Sequence, residues 1–148
     1  MNDYYKNLPK KRMAAGALLF DSKGKLLVVK PNYKDYWSIP GGVIEKNESP
    51  RAGCFREIKE EIGMEVGNLE FLCVDYKEDI DRGDNLQFTF ISKISDGKIT
   101  LQDDELDDYK FVDREEALEL IGGGLRKRLP TCFEAIDNNK AIYIENGE

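Results

Sequence analysis

Residues 42–64 read GVIEKNESPRAGCFREIKEEIGM, and this stretch frames the rest of the chain. Ser49-Pro50 is a helix start: the serine oxygen can cap the first turn, and proline loses nothing at a position whose N–H has no helical partner. Gly63 marks the end, because glycine enters the left-handed conformation without a Cβ clash. Between them Ala52, Phe55, Ile58 and Ile62 recur at helical spacing, which predicts the apolar face. Glu57, Glu60 and Glu61, at i, i+3 and i+4, share the opposite face. Three like charges so close destabilise a helix unless something positive lies among them. Lys59 points elsewhere and Arg56 only flanks the group. A hard divalent cation, Mg²⁺ or Mn²⁺, relieves the repulsion, since such ions take carboxylate, carbonyl and water oxygens. A solvated helix face accounts for an isolated E-x-x-E-E equally well, so the surroundings decide.

Upstream of the helix, Arg12–Phe20 and Leu26–Val29 are predicted strands joined by a turn at Asp21–Lys25, a hairpin that Pro31 stops. Trp37–Ile39 is a short extended piece running into a turn at Pro40-Gly41-Gly42. Downstream, Leu69–Tyr76 and Leu86–Ile94 are predicted strands, Lys98–Leu101 a further candidate, and Tyr109–Val112 a short one. An acidic helix is expected over Arg114–Ile121, broken by Gly122-Gly123-Gly124. A last helix, Leu125–Asp137, is expected to bend or restart near Pro130. No repeat or linker divides residues 1–148, so one α/β domain is expected, with a mixed sheet between helical layers.

Composition removes several chemistries. The 148 residues contain no histidine, which excludes Ser-His-Asp and Cys-His pairs, histidine phosphocarriers and H-E-x-x-H zinc enzymes. Cys54, Cys73 and Cys132 are far apart and odd in number, which argues for reduced thiols used as small hydrophobes in a cytoplasmic protein. No apolar run is long enough to span a membrane, and the N-terminus lacks a signal-peptide core. The net charge of −7 argues against a nucleic-acid partner. Residues 103–119 carry that whole excess, with nine acids against Lys110 and Arg114. A negative site still suits a phosphate substrate when divalent ions invert the local field.

Residues 42–64 fit G-x5-E-x7-R-E-U-x-E-E-x-G-U at every position, U being aliphatic. With usage of roughly 6–7% at each fixed position, a chance match is on the order of 10⁻⁹ per start. This pattern is the Nudix box, and the chain resembles the Nudix hydrolase superfamily, MutT-like members included. Trp37-Ser-Ile-Pro-Gly-Gly also resembles the usual entry into the box. The resemblance implies an α/β/α sandwich and metal-dependent hydrolysis of a diphosphate linkage, most simply in a nucleoside triphosphate or a nucleotide sugar.

Carried over by residue, the resemblance implies Glu57, Glu60 and Glu61 as metal ligands, with a backbone oxygen from the Gly41-Gly42 turn, so that Gly42 joins the metal set and Gly41 lets phosphate approach. Arg56 is then expected to orient Glu57 through a bidentate ion pair. Glu48 is expected to be structural, beside the helix start or Arg56; Glu45 faces the loop. An acidic residue after the box is common in the family, and Glu105 takes that place here, crowded by Asp103, Asp104, Asp107 and Asp108. Glu57 or Glu105 would take the proton from the attacking water. Tyr33, Tyr36, Trp37, Phe88 and Phe90 are candidates for base stacking, and Arg12, Lys30 and Lys34 for phosphate contacts.

Proline is absent where ADP-ribose-type relatives carry it, about sixteen positions past the box, and the motifs of coenzyme A and NADH hydrolases are missing too. These absences favour a smaller nucleoside phosphate. Two other readings stand beside the hydrolase: a non-catalytic Nudix-fold sensor of a nucleotide or metabolite, and an mRNA-decapping enzyme. The short basic segments Lys10-Lys11-Arg12 and Arg126-Lys127-Arg128 give decapping little support. A homodimer is compatible with the sequence.

Overall fold

The computed structural model describes residues 2–95 and 97–148. In chain order the elements are α1 Asp3–Lys6, β1 Arg12–Phe20, β2 Leu26–Pro31, β3 Gly41–Val43, α2 Pro50–Ile62, β4 Glu70–Lys77, β5 Asn85–Lys93, β6 Leu106–Val112, α3 Arg114–Leu120, α4 Gly124–Asp137 and β7 Ile142–Glu145.

β1 shows why the sheet is central. Ala17 and Leu19 point to one face and Leu18 to the other, and all three are fully buried. On the first face Leu19, Leu27, Val29 and Phe90 pack with Ile58 and Ile62 of α2. On the second, Leu18, Leu26 and Val28 pack with Leu125, Leu129 and Phe133 of α4 and Ala117 of α3. Strands covered on both faces read as near-continuous apolar runs, as Leu26–Val29 does. The result is the expected α/β/α arrangement. The strand order is β6-β2-β1-β5-β4-β7, with β3 paired to β1. β1 runs parallel to β5 and antiparallel to β2 and β3; β4 runs parallel to β7.

Several expectations shift. Gly41-Gly42 is strand rather than turn, with Gly41 opposite Gly16 and Gly42 opposite Ala15. β2 continues through Pro31, where a register shift accommodates the missing N–H. α4 runs through Pro130 without restarting; Pro130 is exposed, so the carbonyl it frees can face water. On α2, Ala52 is exposed, whereas Gly53 and Cys54 are buried with Ile58 and Ile62. Lys98–Leu101 forms no strand; its backbone instead closes the end of α2. α1 and β7 were not anticipated from the pattern. Cys54, Cys73 and Cys132 are free and buried. No helix among the described residues is long and apolar enough to cross a membrane.

Candidate active site

The site begins at α2. Ser49 caps it by accepting from the Ala52 N–H, Pro50 opens it, and Gly63 ends it at φ 66°. The last carbonyls of the helix accept from the following segment: Thr100 N–H donates to Ile62 O, and Gln102 N–H to Glu61 O, each at 2.9 Å. A turn back from Gln102, and the Asn32 N–H donating to Glu105 O at 2.9 Å, hold residues 102–105 over this end. The acidic loop is thereby brought beside α2.

Arg56 organises the helix carboxylates. Its Nε and Nη2 donate to Glu48 Oε2 and Oε1 at 2.7 and 2.9 Å, while Nη1 donates to Glu57 Oε1 at 2.9 Å and Glu60 Oε2 at 3.2 Å. The bidentate partner is therefore Glu48 rather than Glu57, which receives one bond. Nη2 also donates to Val43 O at 3.2 Å, tying the helix to β3. Glu48 lies over Gly53, where a Cβ would come within 2.7 Å of its Oε1.

Hydrogen bonds from Arg56, then from the Glu45 N–H, pull the Glu48 carboxyl from 4.5 down to about 2. The linkage follows in sign: the unfolded chain holds this proton more tightly, so the stabilisation is complete above the unfolded value and fades as pH falls from about 4.5 toward about 2. An NMR titration should place the Glu48 midpoint near 2, and Arg56→Met should return it toward 4.5; a parent midpoint already near 4.5 contradicts this geometry.

Glu61 faces the other way, into a cleft of about 290 Å³ whose walls include Gly41, Gly42, Glu61, Glu105, Tyr36 and Lys34. It is 6% exposed, and its Oε1 accepts from the Gly41 N–H at 3.0 Å. Burial, then the charge of Glu57, a hydrogen bond with Glu57 and the charge of Glu105 push its carboxyl up to about 8, against the pull of the Gly41 N–H. Glu57 packs against β3, where a Cβ on Gly42 would sit 2.6 Å from its carboxylate. Gly42→Ala should therefore displace Glu57 and lower turnover on the order of 10²-fold with little loss of stability; parent-like kcat in a folded variant contradicts this.

These observations bear on whether a metal fits. Glu61 and Glu105 line the cleft and Glu57 lies against Gly42 of its wall, an oxygen-only set of donors that suits a hard divalent ion. Glu60 is half exposed and stands apart with Arg56. Among the described residues, no group of three or more acidic or thiol side chains is already gathered in ligating geometry.

The remaining candidates divide. Tyr33, Tyr36 and Lys34 line the cleft. Trp37 lies outside it, packed against the α4-side core, with Lys110 Nζ 5.1 Å above its ring and its carbonyl accepting from the Gly122 N–H. Arg12 also lies outside; its Nη2 donates to Gly83 O at 3.0 Å. Lys30 is turned onto the carbonyls of Pro31 and Lys34. Phe88 and Phe90 belong to the α2-side core.

Sequence reasoning missed Lys77 and Arg128, which line the cleft from β4 and α4. Arg128 is 6% exposed, and its Nε donates to buried Asp75 Oδ2 at 3.1 Å. A signal was present: each is a charge on the buried register of its element, Arg128 beside Leu125, Leu129 and Cys132, and Asp75 two residues from Cys73.

Comparisons with known proteins agree with this arrangement. The family model for the NUDIX domain matches residues 10–132. An RNA pyrophosphohydrolase of Hydrogenovibrio crunogenus is 38% identical over 61 residues, covering 41% of this chain and 37% of that protein. The chain thus spans little more than a third of that relative's length. An RNA pyrophosphohydrolase of Campylobacter jejuni is 31% identical over 111 residues, covering 66% and 71% of the two chains. The crystal structure of a MutT protein from Methanosarcina mazei Go1 superposes with a TM-score of 0.72 at 20% identity, covering 90% of this chain and 99% of that one.

Proposed function

Since this chain belongs to the NUDIX domain family, we propose that it is a divalent-metal-dependent hydrolase that cleaves the diphosphate linkage of a nucleoside triphosphate or similar nucleoside diphosphate derivative. The observation that carries the reading is a buried carboxyl, Glu61, in the wall of a cleft that Glu105 also lines, with Glu57 seated against Gly42 of that wall. A carboxyl buried beside other carboxyls has no structural benefit, so Glu61 points to a cation that arrives with the substrate.

Glu57, Glu60 and Glu61 would hold Mg²⁺ or Mn²⁺, with a backbone oxygen of Gly41 or Gly42. When bound, the ion neutralises charge on the phosphate oxygens and lowers the pKa of a bound water. The chain's own groups do the rest. Arg56 fixes the rotamer of Glu57. The glycine backbone at β3 lets phosphate come close. Glu105 lines the cleft with no ion pair among the described residues, so its carboxylate is placed to take the proton of the attacking water. Tyr33 and Tyr36 offer a rim for the nucleoside.

A second reading has its own support: the relatives named RNA pyrophosphohydrolases favour a triphosphate carried at the 5′ end of RNA. The chain's acidic balance argues the other way, which leaves the free nucleotide first. The test is a turnover panel of nucleoside triphosphates, nucleotide sugars, dinucleoside polyphosphates and 5′-triphosphorylated RNA, with Mg²⁺ and with Mn²⁺. Release of pyrophosphate or phosphate from a triphosphate, abolished by EDTA, is expected. Binding of a panel member with no turnover under either metal supports a sensor and overturns the hydrolase.

A further inference from the structure

We propose that the wall of the cleft built from β4 and the start of α4 is a second phosphate subsite, one that holds a phosphoryl group of the substrate outside the hydrolysed linkage. The inference rests on the diphosphate-hydrolase reading above and specifies its substrate: a nucleotide bearing a further phosphate on its sugar.

Three observations converge on this wall. Arg128 is more than nine-tenths buried and lines the cleft, yet only its Nε is engaged, by Asp75. Neither Nη finds an acceptor among the described residues. Both escape full burial, because Thr89 Oγ1 is the one wholly buried side-chain polar atom there without a partner. The guanidinium is thus fixed from behind by a carboxylate and opens its outer edge to the cleft, a geometry suited to phosphate oxygens.

Lys77 supplies the second cation. It lines the same cleft, has no ion pair or hydrogen bond among the described residues, and lies so close to α4 that a Cβ on Gly124 would collide with its Nζ. The third observation is the start of α4 itself. Gly123, at φ 69°, is its N-cap and offers no side-chain cap, so the first N–H groups of a 14-residue helix lack that partner. Gly122 and Gly123 leave room for the Tyr36 ring on this wall, and Gly124 leaves room for the Lys77 ammonium beside the helix start. Asp75 offsets the charge of Arg128 from within the core, which leaves Lys77 and the helix end as net positive. The α2 side carries Glu61 and Glu105 instead. The cleft is therefore polarised, with metal-requiring carboxylates at one wall and an anion-accepting wall at the other.

The test compares a nucleoside 3′,5′-bisphosphate with its 5′-monophosphate by isothermal titration in Mg²⁺. Neither probe contains an anhydride, so neither is consumed. The parent should bind the bisphosphate about tenfold more tightly, as one charge-assisted contact provides. Lys77→Ala should cut that advantage below about twofold. Arg128→Lys, which keeps a cation for Asp75 but withdraws the guanidinium edge, should reduce it as well. No advantage in the parent, or an advantage untouched by Lys77→Ala, overturns the proposal, as does binding of orthophosphate at these residues without preference for the bisphosphate. A parallel turnover assay with a nucleoside triphosphate separates the two claims. Turnover without bisphosphate preference removes the subsite alone, whereas preference without turnover removes the hydrolase reading alone.

Discussion

Glu57→Gln and Glu61→Gln are each expected to lower kcat by on the order of 10³-fold while the protein stays folded. The two carboxylates reach the site by different routes. Glu57 is held against Gly42 by one bond from Arg56, and glutamine there keeps the shape but loses the charge. Glu61 is buried, and its Oε1 accepts from the Gly41 N–H, a bond a glutamine oxygen can still make. Its carboxyl, pushed up to about 8, is already largely neutral at pH 7 without metal, so a neutral glutamine matches it there. The metal-free Glu61→Gln protein should therefore melt no lower than the parent, a loss of activity without a loss of stability. Mn²⁺ should raise the parent's melting temperature and leave both variants nearly unmoved. Either variant keeping more than about a tenth of parent activity would sink the assignment, since one general-base or ligand role alone exceeds that factor.

The largest stability effect is expected at Asp75. Its side chain is 3% exposed and that of its partner Arg128 is 8% exposed. Asp75 Oδ2 accepts from Arg128 Nε and Oδ1 accepts from the Gly147 N–H, each at 3.1 Å, so one carboxylate ties α4 and the chain end beyond β7 to β4. Asp75→Ala leaves a guanidinium confined without its counter-charge and should cost about 3–5 kcal/mol in urea unfolding. Arg128→Met combined with Asp75→Leu should recover much of that loss, because the expense lies in the unpaired charge. A cost below about 1 kcal/mol for Asp75→Ala would mean that water reaches the pair freely.

What could be read from residues alone was local. The serine-proline start and glycine end of α2 lie within a few positions of the turns they control, and the spacing of Glu57, Glu60 and Glu61 sets them on neighbouring turns, but the packing of β3 then buries Glu61 and leaves Glu60 outside with Arg56. Leu26–Val29 announced a strand buried on both sides. Contacts distant in sequence were not legible. Asp75 and Arg128 are unremarkable until β4 and α4 are placed together. β7 is four residues with no periodicity to reveal it, and its pairing partner is β4. Lys98–Leu101 has strand-like residues, but the open carbonyls of α2 took the N–H groups of Thr100 and, just beyond, Gln102. Ala52 falls within the apolar pattern and still faces solvent, because the sheet lies under Cys54 and Ile58 instead.

The parallel pairing of β1 with β5 governs the order in which this molecule assembles. Arg12 lies opposite Asn85 and Phe20 opposite Lys93, so the middle of the sheet closes only across a long intervening loop. Closure of that kind comes late and slowly compared with a hairpin. During synthesis β1 and β2 leave the ribosome as a lone hairpin, too small to be stable. β3 can align on β1, and α2 can cover it, before β5 exists, but the α2-side core is complete only once Leu106 has emerged and the α4-side core only once Ile144 has. The glycine strand and the carboxylate helix are thus made early and locked late.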